Sequence, residues 1–388
     1  MPRFFLICAA LACLSPSFGQ GNNASTQSDP KTLLVLAEKG DATAQSRLGW
    51  MYLYGQGVVQ NHAEAMRWYR KAADQGDAKA QFALGQMYHS AQGSAQNLSE
   101  AARWYRRAAE LGDAGAQWNL GTMYEYGLGV AKDPAEAVRW YRKAADQGDS
   151  NGQHSLGSMY EDGLGVAKDP TEAVRWYRKA ADQGDWIGQG SLGSMYEEGQ
   201  GVAQDFAEAV RWYRKAAEQG YDFGQLRLGV MYYMGQGVAQ DYVEAARWFQ
   251  EAAKRGLATA HWRLGLMYAQ GQGVALDYAE AVRCFRKAAE RGNTEGQWRL
   301  GFMYERGRGV SQSYPEAANW YRKAAEQGDA MGQWSLGTMY QYGEGIVQDY
   351  AEAVRWYRKA AEQGYAIGQR SLGFMYEQGQ GVAQDYVQ

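Results

Sequence analysis

The sequence predicts an all-α protein, an α-solenoid of stacked helix-turn-helix repeats with a 36-residue period. Three observations predict this fold: a glycine recurs without insertion or deletion, two helical patterns lie between successive glycines, and capping residues separate the two patterns. The recurring glycines are Gly40, Gly76, Gly112, Gly148, Gly184, Gly220, Gly256, Gly292, Gly328 and Gly364. Because a single two-helix unit cannot bury its apolar face alone, neighbouring units are expected to stack.

The first 19 residues are predicted to be a cleavable secretory signal. Arg3 precedes an apolar run that ends at Leu14, and small residues follow. The run is too short for a bilayer span, which needs about 20 residues. A lipoprotein signal ending at Cys13 is the alternative, although the residues before it match a lipobox poorly. Residues 20–28 are then expected to form a flexible lead-in.

Residues 29–40 predict a single helix that covers the first repeat, with Asp29 and Pro30 at its start and an apolar run through Leu33, Leu34 and Leu36. The repeat array follows at 41–388, as nine full repeats at 41–364 and a partial tenth at 365–388. The sequence ends where a second helix would start. This leaves two interpretations: the sequence is incomplete, or the first helix of the partial tenth repeat presents an exposed docking surface.

The first helix of each repeat, helix A, shows one apolar face. In the third repeat Ala116, Leu120, Met123 and Tyr124 follow helical spacing, and Gly127 is suited to end the helix. Helix A of the first repeat is expected to begin near Ala42.

The second helix, helix B, is predicted from a capping box. Asp133 lies at the N-cap, Pro134 at the first helical position and Glu136 three residues after the cap. Ala137 and Tyr141 begin the buried face. The same cap and glutamate recur as Asn61 and Glu64, Asn97 and Glu100, Asp169 and Glu172, Asp205 and Glu208, Asp241 and Glu244, Asp277 and Glu280, Ser313 and Glu316, and Asp349 and Glu352.

The motifs Leu-Gly-x-Met-Tyr, Gly-x-Gly-Val, Asp-x-x-Glu-Ala and Trp-Tyr-Arg-Lys-Ala-Ala-x-x-Gly together resemble the Sel1-like repeat, a branch of the tetratricopeptide superfamily. The resemblance covers about residues 29–388. It implies a right-handed superhelix that serves as an adaptor for protein complexes, often exported in bacteria or placed in the eukaryotic secretory pathway. It also implies an alternative, because β-lactam binding or hydrolysis is associated with cysteine-rich relatives. This chain lacks their paired cysteines, since only Cys284 lies outside the predicted signal.

Six positions of the first helix A differ from repeat to repeat: 43, 46, 47, 50, 53 and 54. At about 100° per residue these positions gather on one side of the helix, opposite Ala44, Leu48, Met51 and Tyr52. We call this side the variable face. It resembles the concave, ligand-facing surface of tetratricopeptide grooves, so a peptide or helix of a partner protein is predicted to bind there.

Tryptophan and arginine, which are enriched in binding hot spots, collect on the variable face between residues 262 and 306. Two hypotheses remain open: these side chains bind a partner, or the indoles only pack on the neighbouring helix A. Binding predicts that changes at Trp298 and Arg299 abolish partner capture with little loss of stability, and packing predicts a large loss. The candidate partner-binding residues are Trp118, Trp262, Arg263, Trp298, Arg299, Phe302, Arg306 and Trp334.

Several other chemistries find no support in the sequence. A net charge of -3 disfavours nucleic acid as a partner. The four histidines lie in separate repeats, so neither a metal site nor a catalytic residue is predicted. The Gly-x-Gly-Val turns follow a helix and lack the remainder of a phosphate-binding motif, so no cofactor is expected. The recurring helix B tryptophans, with Cys284 in their place once, are predicted to be packing residues.

The leading functional hypothesis is therefore a non-enzymatic scaffold, exported and, in a bacterium, periplasmic or extracellular. The arginines and lysine of each helix B, exemplified by Arg139, Arg142 and Lys143, are expected to form charge pairs within the helix. The alternatives are a secreted factor that acts on host proteins and, by analogy with the cysteine-rich relatives, a hydrolase of β-lactamase type.

Overall fold

The structure is a computed structural model that describes residues 29–382. The predicted signal, the lead-in at 20–28 and the last residues, 383–388, lie outside the described part. Residues 29–382 form 20 α-helices and no strand. The helices are α1 (Pro30–Glu38), α2 (Ala42–Tyr54), α3 (His62–Asp74), α4 (Ala78–His89), α5 (Leu98–Glu110), α6 (Ala114–Tyr126), α7 (Pro134–Asp146), α8 (Ser150–Asp162), α9 (Pro170–Asp182), α10 (Trp186–Glu198), α11 (Phe206–Glu218), α12 (Asp222–Met234), α13 (Tyr242–Lys254), α14 (Ala258–Gln270), α15 (Tyr278–Glu290), α16 (Thr294–Arg306), α17 (Tyr314–Glu326), α18 (Ala330–Tyr342), α19 (Tyr350–Glu362) and α20 (Ala366–Gln378).

The described chain divides into two compact units at Ala144. The first unit contains α1 to α6 and nearly all of α7, and the second contains α8 to α20. Within each unit a helix A packs on the helix B that follows it, and that helix B packs on the next helix A. The all-α fold of stacked helix pairs, predicted from the glycine period, is confirmed.

The core of each repeat is built from a few recurring side chains. In the pair α16 and α17, Leu300, Met303, Ala317 and Tyr321 are each at most 3 % exposed. The helix B tryptophans are buried or half-buried, and the prediction that they are packing residues is confirmed. Cys284 shares their buried position, and burial, followed by the charge of Glu280, raises the pKa of its thiol to about 11.

A glycine in helix A sets how closely the two helices of a repeat approach. A Cβ added to Gly301 would lie 2.7 Å from the Tyr321 ring, closer than carbon atoms can pack. The corresponding glycines from Gly49 to Gly337 all meet a Tyr or Phe ring of helix B within 2.5–2.8 Å. The glycine of the Leu-Gly-x-Met-Tyr motif is therefore required by packing against an aromatic ring.

Helix B is capped as predicted in one half of the capping box only. The carboxylate of Asp133 accepts hydrogen bonds from the amides of Ala135 and Glu136 at 3.0 and 3.1 Å. The prediction that the Asp133 amide donates to the Glu136 carboxylate is wrong, because this amide donates to the Tyr124 carbonyl at 2.9 Å. The Glu136 carboxylate accepts instead from Arg139 at 2.8 Å. The cap thus joins helix B to the preceding helix A.

The helix α1 lies against the first repeat, but its predicted details need two corrections. Leu33 and Ala37 are buried with Leu48 and Trp68 in one cluster. Asp29 occupies the N-cap position without a side-chain capping bond. Leu36 is 42 % exposed, because the helical spacing places Leu33 and Ala37, and not Leu36, on the packed face.

The basic residues of helix B divide into three roles, of which sequence reasoning predicted only the first. The first arginine pairs with the capping glutamate one turn earlier, as Arg355 does with Glu352 at 2.8 Å. The second arginine donates to a tyrosine of the next helix A, as Arg286 does to the Tyr304 hydroxyl at 2.8 Å. The lysine lies over the tryptophan ring of its own helix. Helix B therefore uses the second arginine to contact the next helix A and its other two basic residues for contacts within the helix.

Replacing the packed glycine is expected to destabilise the protein. Gly301→Ala should lower the free energy of unfolding by roughly 1–3 kcal/mol, because the new methyl group displaces the Tyr321 ring. Urea denaturation monitored by circular dichroism measures the change. The matched control is Gly373→Ala in α20, where nothing lies within 4 Å of the added Cβ. This control should gain about 0.5–1 kcal/mol from better helix propensity. Equal losses at both positions would contradict the packing argument.

Candidate functional site

The candidate site lies on the variable face of α14 and α16, both in the second unit. We call its residues the Trp–Arg cluster: Trp262, Arg263, Trp298, Arg299, Phe302 and Arg306. The 13-residue length of each helix and its fixed caps place these side chains at equivalent positions of neighbouring repeats. Five of the six are half-buried and Arg306 is exposed, so the cluster reaches both the core and the solvent.

Trp298 is the best-anchored member of the cluster. Its Nε1 donates to the Ser335 hydroxyl at 3.1 Å, and its ring packs against the buried cluster that includes Tyr321. The ring also stacks on Phe302, with centroids 5.8 Å apart, and the Arg299 guanidinium lies 4.7 Å from its centroid. The indole is therefore a packing residue whose remaining surface faces solvent beside a cation.

Phe302 lies between two arginines at the outer edge of the cluster. The guanidinium of Arg306 is 5.7 Å from the Phe302 centroid, and that of Arg308 is 5.9 Å away. Arg306 also pairs with Glu305 at 3.2 Å. The aromatic ring and its flanking cations form a surface suited to apolar and anionic groups together.

Trp262 and Arg263 carry buried donors that have no acceptor. The Arg263 guanidinium lies 4.7 Å from the Trp262 centroid. The Nε1 of Trp262 and the Nε of Arg263 are both buried, and neither has a hydrogen-bond partner within the described chain. The Nε1 of Trp298 donates to Ser335, which lies 37 residues later in the sequence. The residue 37 positions after Trp262 is Arg299, whose side chain has no hydrogen-bond acceptor. Trp262 therefore lacks the acceptor that serine supplies to Trp298.

The remaining two candidates are placed elsewhere. Trp334 lies on α18 and repeats the geometry of Trp298, with Nε1 donating to the Ser371 hydroxyl at 3.1 Å. Trp118 lies on α6 in the first unit and is only 9 % exposed. The structure therefore brings six of the eight candidate residues together, and Trp118 is almost entirely a core residue.

The variable face is less exposed than the helical wheel predicts. Ser46 and Leu53, both assigned to that face, are buried, and Ser46 donates to the Asp77 carboxylate at 3.4 Å. At the position of Leu53, later repeats carry a glutamate that accepts a hydrogen bond from the helix B tyrosine, as Glu305 does from Tyr321 at 2.7 Å. The expectation of six solvent-facing positions is wrong, because these two positions point toward neighbouring helices.

Sequence reasoning also missed an ion pair on this face. Arg227 of α12 contacts Glu197 of α10 with two hydrogen bonds, one of them 3.1 Å from Nε to Oε2. Burial lowers the pKa of Arg227, but the bond to Glu197 and the negative charge of that carboxylate raise it more, so the net shift is upward. No local sequence signal identifies this pair, because its partners are 30 residues apart on helices of successive repeats.

Arg263 and Arg299 occupy the positions equivalent to Arg227 without such a carboxylate. Burial lowers the pKa of both arginines, and the charge of Arg227 lowers that of Arg263 further. Within residues 145–382, no ion pair involves either of them. The cluster therefore contains two half-buried cations that form no ion pair within the described residues.

Residues 29–382 contain neither a candidate metal site nor a candidate membrane span. No group of three or more His, Cys, Asp and Glu side chains there is arranged to hold a metal ion. None of the helices in the same part of the chain combines the length and apolar character of a membrane span.

Removing the Trp298 indole tests its packing role. Trp298→Ala should lower the free energy of unfolding by roughly 2–4 kcal/mol, because it removes the contacts with the Tyr321 cluster and the bond to Ser335. The neighbouring change Arg299→Gln serves as the control and should stay within about 0.5 kcal/mol of the wild type. Urea denaturation compares the two. An unchanged Trp298→Ala midpoint would show that the indole is not held as described.

The sequence matches the Sel1 repeat model in ten consecutive stretches. These stretches are residues 42–77, 78–113, 114–149, 150–185, 187–221, 223–257, 258–293, 294–329, 330–365 and 366–388. No curated protein matches the chain.

Two solved structures are similar over most of their length. One is c5321, a protective antigen present in uropathogenic Escherichia coli strains that displays an SLR fold. It is 38 % identical, with 92 % of this chain and 84 % of that chain covered and a TM-score of 0.68. The other is a Sel1 repeat protein from Oxalobacter formigenes. It is 34 % identical, with 94 % of this chain and 99 % of that chain covered and a TM-score of 0.63.

Proposed function

This chain belongs to the Sel1 repeat family, and from that premise we propose that it is an exported, non-catalytic scaffold that binds a segment of a partner protein on the variable face of α14 and α16. Sel1 repeat proteins are generally protein-interaction scaffolds and generally lack catalytic activity. The proposal extends this family property to one surface of this chain.

One observation carries the proposal: the packing positions keep one residue type in nearly every repeat, whereas the positions of the Trp–Arg cluster vary along the array. Leu300, Met303 and Tyr321 have counterparts in nearly every repeat, because each repeat uses the same core. Arg299 and Phe302 share their helix with those residues, but their positions vary along the array: the position of Arg299 carries arginine, serine, asparagine or alanine, and that of Phe302 carries residues as different as Gln86, Thr338 and Phe374. Side chains that packing does not dictate are free to be selected for binding, and aromatic residues beside arginines are typical of binding hot spots.

A peptide selection tests the binding surface. A display library of random 12-residue peptides, selected on residues 20–388, should yield binders of micromolar affinity or better. A benzophenone group on the selected peptides should crosslink to α14 or α16, as mapped by mass spectrometry of the digested product. Crosslinks confined to the outer side of helix B, for example around the exposed Arg283, would contradict the proposed surface.

Export is the second part of the proposal. Residues 1–28 fused to alkaline phosphatase should give an active enzyme in a bacterial host, because that phosphatase needs disulfides that form only outside the cytoplasm. The control, Leu6→Arg, interrupts the apolar run and should abolish activity. An active control or an inactive wild-type fusion would contradict export.

A specific observation favours one variant of this function, a secreted factor that acts on host proteins. The similar Escherichia coli protein is described as a protective antigen of uropathogenic strains. The peptide selection does not depend on whether the partner is a bacterial or a host protein. The sequences of the selected peptides would direct the search for either partner.

A further inference from the structure

We propose that the segment bound by the Trp–Arg cluster is acidic: an extended stretch of a partner protein whose Asp or Glu carboxylates bind Arg263 and Arg299, while an apolar side chain between them contacts Phe302. The inference rests on the proposed function and specifies the chemistry of its ligand. Four structural observations support it.

The first observation is the internal pair that shows what this arginine position binds. Arg227 and Glu197 are 30 residues apart on helices A of successive repeats, and they form two hydrogen bonds. The arginine side chain is 30 % exposed and the carboxylate 12 %. An arginine on this face therefore lies where a carboxylate can reach both its Nε and an Nη group. Such two-point contact is the geometry by which arginine recognises carboxylates.

The second observation is the loss of this carboxylate in the next two repeats. Counting back 30 residues from Arg263 gives Tyr233, and from Arg299 gives Ala269. Neither residue supplies an anion, and the Tyr233 hydroxyl donates to Gln272 at 3.0 Å. The arginines persist although their internal partner is gone.

The third observation is a change in helix B of the same two repeats. Where Glu125, Glu161, Glu197 and Glu305 are present, a helix B tyrosine hydroxyl donates to each of them. Two of the repeats that lack the glutamate, those with Tyr233 or Ala269 at its position, carry Phe249 or Phe285 as the helix B aromatic residue. The three others, with Leu53, His89 or Gln341 at that position, keep the tyrosine. In the Tyr233 and Ala269 repeats the carboxylate and the hydroxyl are both absent, so that of the network formed by Glu197, Tyr213 and Arg227 only the arginine remains.

The fourth observation is the pair of unsatisfied donors beside these arginines. The Nε of Arg263 and the Nε1 of Trp262 are buried without an acceptor. Buried donors without partners cost about 1–3 kcal/mol each, so an acceptor brought close by a ligand is favoured. Both groups are donors, and a carboxylate is an acceptor only.

The surrounding charges are compatible with an anionic ligand. Glu295 is the carboxylate that acts on Arg263, but it accepts hydrogen bonds from Asn293 and Thr294 and forms no ion pair within the described residues. Arg308, beside Phe302 and Tyr278, adds positive charge at the edge. An acidic segment that contacts this aromatic surface therefore meets cations beside it.

A peptide is favoured over other anions because apolar surface lies beside the cations. The half-buried Phe302 packs against the cluster of Leu300 and Met303 and also against that of Tyr321. Nucleic acid would offer only phosphates to two arginines on a chain of net charge -3. A protein segment supplies carboxylates and an apolar side chain together.

The test uses the peptides selected on residues 20–388 and measures their affinity by fluorescence anisotropy. The peptides should be enriched in Asp and Glu, and replacing those residues by Asn and Gln should weaken binding at least about tenfold. The variant R263Q/R299Q should lose the same affinity for the acidic peptides and bind the amide peptides unchanged. R283Q, which removes an arginine from the outer side of α15, is the matched control and should bind like the wild type.

Two further variants test the role of the missing carboxylate. A269E supplies an acid to Arg299 in the register of Glu197 and Arg227, and it should weaken binding of the acidic peptides without lowering the melting temperature. E197Q releases Arg227 and should strengthen binding of peptides that carry an additional acid at one end. Because E197Q and R263Q/R299Q change no core residue, they remain informative even where A269E folds poorly.

The possible outcomes separate the two proposals. Selected peptides that crosslink to α14 or α16 without acidic enrichment, and that bind R263Q/R299Q normally, overturn the acidic-ligand inference and leave the scaffold function standing. A selection without binders overturns both. Displacement of the peptide by a 12-residue single-stranded DNA at equal concentration overturns the inference as well, because the arginines would then recognise anions in general.

Discussion

The contact on which the structure depends is the packing of the helix A glycine against the aromatic ring of helix B. With Gly301 under the Tyr321 ring, the two helices approach more closely than any side chain at that position would allow. The same contact recurs in both units, from Gly49 with Tyr69 to Gly337 with Tyr357. Each repeat is stabilised by its own contact between glycine and ring and by its contacts with neighbouring repeats. A change in the distance between helix A and helix B would therefore disturb the neighbouring repeats as well. The contact therefore permits little variation.

That constraint confines variation to the surfaces that the contact does not use. The basic residues of helix B contact the cap glutamate, a tyrosine of the next helix A and the tryptophan of the same helix B. Helix A keeps only its variable face, and two of the six positions there are buried. The remaining positions carry Trp262, Arg263 and Arg299, although the unsatisfied donors of Trp262 and Arg263 each cost the fold about 1–3 kcal/mol. Four helix B tryptophans also have an unsatisfied Nε1, but on the variable face the unsatisfied donors of Trp262 and Arg263 lie beside arginines that form no ion pair within the described residues.

The helices, their order and most caps could be predicted from the sequence, because they depend on local signals such as Asp133 before Pro134 and the glycine period. The partner of each polar group could not, because it lies one helix away: the Asp133 amide donates to Tyr124 and not to the cap glutamate. The residues of the Trp–Arg cluster were predicted from composition, but the lack of a carboxylate partner for Arg263 and Arg299 was not. The pairing of Arg227 with Glu197 became visible only when helices of successive repeats were side by side.

The separation of packing from recognition is tested most directly by scanning every substitution at residues 258–342 for the cellular abundance of the folded chain. The account predicts that Gly301 and Tyr321 tolerate almost no replacement, whereas Arg263 and Arg299 accept most polar residues with abundance unchanged. Loss of abundance at Arg263 and Arg299 equal to that at Gly301 would show that the arginines hold the fold together, and would contradict the account.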